Sequence, residues 1–197
     1  MSQLRAFLAI DLDDGLKPKI NKIIKQFKQI DAKIRYVELN NMHLTLKFFG
    51  EIDTDGLELL ENKIADVVSE FKPFNIKIKG CGAFPNYSHI KVIWIGIDED
   101  SIIKELHDNL DGEFVKLGFG KDKNFSTHLT IGRMKSAKNK VQVRSTIGEF
   151  SDIEIGEMTV NSITLKKSTL NILLNFTICG KVCSTEKLLC KKLTNNL

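Results

Sequence analysis

The chain has 197 residues, 42% of them hydrophobic, enough to bury a full core as one globular domain or as two small lobes sharing a core. No apolar run approaches the roughly 20 residues needed to cross a bilayer, and Met1-Ser2-Gln3-Leu4-Arg5 leads straight into strand-like sequence. Neither a membrane span nor a signal peptide is therefore expected, and the cytoplasm is the expected address. A net charge of +4, from 29 basic against 25 acidic side chains, suits a polyanionic ligand without implying a protein built to coat nucleic acid.

Residues 4–10 read as a buried strand ended by a turn at 11–15. A helix follows, with an apolar stripe of Leu16, Ile20, Ile23, Ile24, Phe27 and Ile30, and Pro18 tolerated in its first turn. After an extended piece at 34–37, residues 42–49 are too few and too rich in β-formers for a helix and are read as a strand closed by Gly50. Leu57, Leu60, Ile64, Val67, Val68 and Phe71 mark a second helix, with Asp53 and Thr54 as capping candidates. Residues 74–79 alternate as a strand, 85–88 form a connection, and 90–97 form a more buried strand. Ile102, Ile103, Leu106, Leu110, Phe114 and Leu117 write a third helix that Gly118 is placed to end. A strand around 125–132 and a final one at 153–166, broken near Gly156 and Asn161, close the pattern.

The chain repeats itself weakly. Phe7-Leu8-Ala9-Ile10-Asp11 matches Trp94-Ile95-Gly96-Ile97-Asp98 in kind, each leads into an amphipathic helix, and each helix is followed after a loop by His-Leu-Thr. Phe7 to His43 is 36 positions and Trp94 to His128 is 34, so the units superpose with a two-residue adjustment. Two such lobes side by side would bring equivalent histidines to one groove. Basic residues gather after the second motif, at Arg133, Lys135, Lys138, Lys140 and Arg144, as a phosphate-attracting rim or equally as a solvated loop and helix face. Cys81, Cys179, Cys183 and Cys190 have no C-x-x-C spacing and no nearby His, so they read as reduced thiols rather than zinc ligands or disulfides.

Chemistry is concentrated in His43-Leu44-Thr45-Leu46 and His128-Leu129-Thr130-Ile131. Alternate side chains of a strand share a face, so each segment holds an imidazole and a hydroxyl on one side and packs two apolar residues on the other. One such segment is ordinary. With four His in the chain and Thr at roughly 6% of positions, two of them are expected by chance in roughly one chain in fifty. His89 and His107 lack the pattern and read as surface residues, His107 lying off its helix's apolar stripe. In-line displacement at phosphorus gives a reason for two imidazoles: one takes a proton from water while the other gives one to the leaving oxygen on the opposite side. The threonine hydroxyls can donate to the non-bridging oxygens. Neither H-x-H nor H-x-x-x-H spacing occurs and no acidic residue sits in either segment, so no metal is expected, and no G-x-S-x-G elbow suggests a triad.

These paired segments, together with Arg5-Ala6-Phe7-Leu8-Ala9-Ile10-Asp11, Phe48-Phe49-Gly50 and Gly132-Arg133, resemble the 2H phosphoesterases, and among them the RNA 2′,3′-cyclic phosphodiesterase or 2′-5′ RNA ligase family, over residues 3–170. The resemblance implies an α+β, bilobal fold with pseudo-symmetric lobes, and metal-independent hydrolysis of RNA 2′,3′-cyclic phosphate ends to 2′-phosphomonoesters; no cofactor is expected, and the expected state is a monomer. It implies His43 as proton donor, His128 as proton acceptor, and Thr45, Thr130 and Arg133 as phosphate ligands. Strand parity alone would put Arg133 opposite to His128, unless a bulge at Gly132 restores it. Joining of tRNA halves and non-catalytic RNA binding are the alternative readings. The expected domain is 1–170: residues 171–197 contain no Pro, hold three of the four Cys and lack the family's closing turn. They read as an atypical tail, from divergence or from a shifted frame that resequencing of the gene's last part would reveal.

Overall fold

The structure, a computed structural model, describes residues 3–98, 100–167 and 172–178. In chain order the elements are β1 (Gln3–Asp11), α1 (Lys17–Lys28), β2 (Ile34–Tyr36), β3 (His43–Asp53), α2 (Leu57–Ser69), β4 (Phe74–Asn86), β5 (His89–Asp98), α3 (Ser101–Lys116), β6 (His128–Met134), α4 (Lys140–Glu149), β7 (Glu154–Val160), β8 (Ser162–Lys167) and β9 (Ile172–Thr177). The nine strands form one antiparallel sheet ordered β7-β4-β5-β6-β3-β1-β8-β9, with β2 paired to β6. Among the described residues, no helix is long and apolar enough to cross a membrane.

One residue, Asn161, joins β7 at one edge of this order to β8 six places away. Flat strands at about 4.8 Å spacing would set them nearly 30 Å apart, and two residues of chain span at most about 7 Å. The sheet therefore curls into an open half-barrel. It also has a waist: β3 and β6 meet at a single rung, Leu44 opposite Leu129, whereas every other neighbouring pair shares a longer ladder. That rung divides the sheet into two lobes, β7-β4-β5-β6 and β3-β1-β8-β9.

The helices interleave the lobes. α1 follows β1 but packs with α4 over the first lobe, and α3 follows β5 but packs with α2 over the second. α1 and α2 form because their apolar residues fall on one stripe, with Ile20, Ile23, Ile24 and Phe27 buried on α1 and Leu60, Ile64 and Val68 on α2. α3 ends as its sequence directs: Gly118 takes φ +90°, its N–H bonds to the Val115 carbonyl, and the Phe119 N–H reaches the Phe114 carbonyl. Phe119 then packs its ring against Phe49.

Several expectations shift. α2 begins at Leu57 with Gly56 at its cap, after a 3-10 turn at Thr54–Gly56, so neither Asp53 nor Thr54 caps it. β3 runs through Gly50, which takes φ +74°, to Asp53. β4 continues to Asn86, leaving only Tyr87 and Ser88 as the hairpin turn, where the His89 N–H bonds to Asn86 Oδ1 at 2.8 Å. The last expected strand does break at Asn161, but Gly156 lies inside β7 beside a bulge. α4 had no periodic signature; only Val143 and Ile147 are buried on it. The sheet also continues past residue 170, because β9 pairs with β8 and buries Phe176. Cys81 is a buried free thiol whose pKa burial pushes up to about 12 against an opposing Gly82 backbone hydrogen bond, as befits an inert reduced cysteine. Cys179, Cys183 and Cys190 lie outside the described residues.

Candidate active site

The waist is where the two motifs meet. Because β3 and β6 run antiparallel through Leu44 and Leu129, His43 falls beside Thr130 and Thr45 beside His128. Leu44 and Leu129 are buried on the helix side, while all four polar residues are half-exposed on the other. The two histidines are thus diagonal neighbours across the rung, where such positions lie about 7–8 Å apart. That span accommodates one tetrahedral phosphorus.

Each imidazole is fixed in the same way. Nδ1 of His43 donates to the Asn41 carbonyl and Nδ1 of His128 to the Ser126 carbonyl, both at 2.8 Å. A carbonyl oxygen only accepts, so Nδ1 carries the proton and Nε2 is left as the atom that takes or gives one in the groove. An aromatic ring braces each: Phe7 stacks on His43 at 4.9 Å between centroids, and Phe84 meets His128 edge-on at 4.9 Å. Burial lowers both histidine pKa values below the ordinary 6.5, opposed in each by the carbonyl hydrogen bond. The Lys166 ammonium lowers His43 further against a raising effect of Asp11, and Arg133 lowers His128 further.

Both motif strands bulge at the last residue of the motif. In β3 the register with β1 passes from Thr45 to Lys47, skipping Leu46; in β6 the register with β5 passes from Thr130 to Gly132, skipping Ile131. Parity inverts at each bulge. Arg133 therefore returns to the groove side, where it shares a cavity lining with His43. Lys47 turns to the helix side and Phe48 becomes 69% exposed. The ladders also refine the repeat: Ala9 opposes Thr45 as Trp94 opposes Thr130, so the true equivalents are Ala9 and Trp94, each 34 positions before its His, and no adjustment is needed. Trp94 lies so close over Gly82 that a Cβ there would stand 2.2 Å from its ring.

Local pattern did not reveal two charged groups. Asp11, opposite His43 on β1, accepts from Thr164 Oγ1 at 3.1 Å and pairs with Lys166, which is only 6% exposed. Behind the site, His107 is buried, not a surface residue as its sequence position suggested: the buried face of α3 is wide enough to take His107 and Asp111 along with Ile103, Leu106, Leu110 and Phe114. Its ring stacks on Phe125 at 3.8 Å. Asp111, Asp122 and His107 bring possible ligand atoms within 4.8 Å of one another, but the Lys47 ammonium sits among them, 2.5 Å from Asp111, 3.0 Å from Asp122 and 2.7 Å from the Gly120 carbonyl. Burial would raise the Asp111 pKa, yet the Lys47 hydrogen bond and the Asp122 amide hold it below the usual range. The spacing of His107 and Asp111, four apart on one helix face and each directly following a stripe residue, was the available signal.

Of the basic cluster after the second motif, Lys138 pairs with Asp31 at 2.5 Å, Lys140 and Arg144 stand on α4, and only Arg133 and Lys135 line the cavity at His43. A larger cavity of about 790 Å³, between α2 and α3 around Phe71 and Ile102, contains neither motif histidine.

The family model described as LigT like Phosphoesterase matches twice in succession, over residues 10–94 and 95–173, one match per repeat. The RNA 2′,3′-cyclic phosphodiesterase of Methanothermobacter thermautotrophicus is 40% identical over 168 residues, covering 85% of this chain and 91% of its own. That of Archaeoglobus fulgidus is 36% identical, covering 85% and 92%. The apo structure of E. coli LigT superposes with a TM-score of 0.72 at 20% identity over 91% of this chain and 99% of its own, a likeness of fold. With its doubled family match, relatives named for one activity and the α+β bilobal architecture, this chain belongs to the LigT-like 2H phosphoesterases and is a cyclic phosphodiesterase.

Proposed function

We propose that the chain hydrolyses the 2′,3′-cyclic phosphate at an RNA end to a 2′-phosphomonoester, without a metal, by paired histidine acid and base catalysis. The observation that carries this is the diagonal placement of two equally oriented imidazoles across one strand rung, each with a hydroxyl beside it. Water attacks phosphorus as the bond to the 3′ oxygen breaks. His128 takes the proton from water, and His43 gives one to the departing 3′ oxygen; the assignment of the two roles follows the family resemblance. Thr45 and Thr130 donate to the non-bridging oxygens as their charge grows, and Arg133 adds its positive charge. Every one of these groups comes from a single chain, so a monomer suffices, and the expected setting is the cytoplasm.

The test is hydrolysis of adenosine 2′,3′-cyclic phosphate in excess chelator, with the product isomer assigned by phosphorus NMR. A 2′-phosphomonoester supports the reading. Strict metal dependence, a 3′-phosphomonoester, or efficient joining of tRNA halves with no hydrolysis overturns it.

A further inference from the structure

Next to the reacting centre lie cations that the displacement does not itself require. β2 pairs with β6 so that Arg35 stands directly opposite Arg133, and Lys135, just past the end of β6, follows two residues on, about 7 Å farther out. Like charges facing each other on a ladder are destabilising. Among the described residues no carboxylate forms an ion pair with Arg35, Arg133 or Lys135, although the neighbouring Lys138 has Asp31. All three are exposed and line one cavity of about 430 Å³ with Asn41 and His43. Glu38, the carboxylate on that lining, accepts a hydrogen bond from Asn41 Nδ2 at 3.2 Å. Two arginines at directly paired ladder positions beside a lysine, none of them ion-paired with a carboxylate among the described residues, make a site for a ligand anion.

We propose that this cavity is a second anion subsite that holds the phosphodiester on the 5′ side of the terminal nucleotide, so that the preferred substrate is an RNA strand rather than a cyclic mononucleotide. This rests on the reading of the histidine pair as a cyclic phosphodiesterase. With the cyclic phosphate at His43 and His128, the next negative charge on such a substrate is the phosphate one nucleotide upstream. Arg133 faces the reacting phosphate, and Arg35 and Lys135 lead away from it. The tracking is electrostatic, so it carries no base preference.

The experiment compares kcat/KM on adenosine 2′,3′-cyclic phosphate with that on the trinucleotide ApApA bearing the same cyclic end, for the wild type, Arg35→Gln and Lys135→Gln. The wild type should favour the trinucleotide by about tenfold, the worth of one charge-assisted contact, with an advantage that shrinks as salt rises. Each variant should lose most of that advantage through KM while turning over the mononucleotide as before. Equal efficiency on both substrates in the wild type overturns the subsite and leaves the hydrolytic reading standing. So does an equal loss on both substrates in Arg35→Gln, which would place Arg35 at the reacting phosphate. Turnover of neither substrate, with the trinucleotide still bound through Arg35 in a titration, overturns the hydrolytic reading and leaves the subsite.

Discussion

Replacing Lys47 with Met tests whether the charge network behind the motif strands holds them together. Lys47 is 3% exposed and touches two carboxylates and a carbonyl. The methionine fits the same channel but leaves Asp111, whose side chain is 4% exposed, as a buried charge facing Asp122. Breaking a buried pair from one side costs about 3–5 kcal/mol, and at about 2–4 °C per kcal/mol for a chain of this size the Tm should fall by roughly 6–20 °C at neutral pH. The pH dependence has a definite sign. In the wild type the depressed Asp111 pKa contributes stability above the unfolded value, lost as pH falls through the folded one. Without Lys47 the carboxyl is pushed the other way, so it protonates earlier and the variant's deficit shrinks as pH is lowered toward 4. Urea unfolding at pH 7 and pH 4.5, with Lys47→Met/Asp111→Leu as a double mutant, reads both effects. A deficit under 1 kcal/mol at pH 7, or one that does not change with pH, would refute the network's role.

Other outcomes follow from the same geometry. With both histidine pKa values below 6.5 in the free enzyme, kcat/KM should follow a bell whose basic limb lies below 6.5, because the imidazolium is lost there; in kcat the bound phosphate anion should move that limb upward. A flat kcat/KM from pH 5 to 8 contradicts it. Thr45→Val and Thr130→Val should each lower kcat by on the order of 10², with Tm nearly unchanged; no loss in either would remove the hydroxyls from the phosphate site. Cys81, with its thiol pushed up to about 12, should resist iodoacetamide at pH 8 until the protein is unfolded, as peptide mass mapping would show, and rapid labelling of the folded chain would contradict its burial.

Much of the candidate site's geometry was legible because it depends on short-range rules. Strand parity puts His43 with Thr45 and His128 with Thr130 whatever the fold, and Gly132 marked the neighbourhood of the bulge that swings Arg133 back to the groove, which falls one residue earlier at Ile131. The repeat was visible in kind but offset by two, since apolar strands resemble each other at any even shift and only the ladders equate Ala9 with Trp94. Hidden parts are contacts made over long separations. Lys47 finds Asp111 64 positions away, and Asp11 finds Lys166 across 155; no local pattern distinguishes a buried, paired charge from a solvated one. α4 leaves no legible pattern because two buried residues make too narrow a stripe.

The central claim concerns the histidine pair, and single-turnover hydrolysis of a cyclic phosphate-ended RNA by His43→Ala and His128→Ala tests it most directly. Each substitution should slow the chemical step by about 10²–10⁴ while leaving the fold intact by circular dichroism, and the double substitution should cost little more than either alone. Hydrolysis within threefold of wild type in a folded His43→Ala or His128→Ala protein would contradict the account.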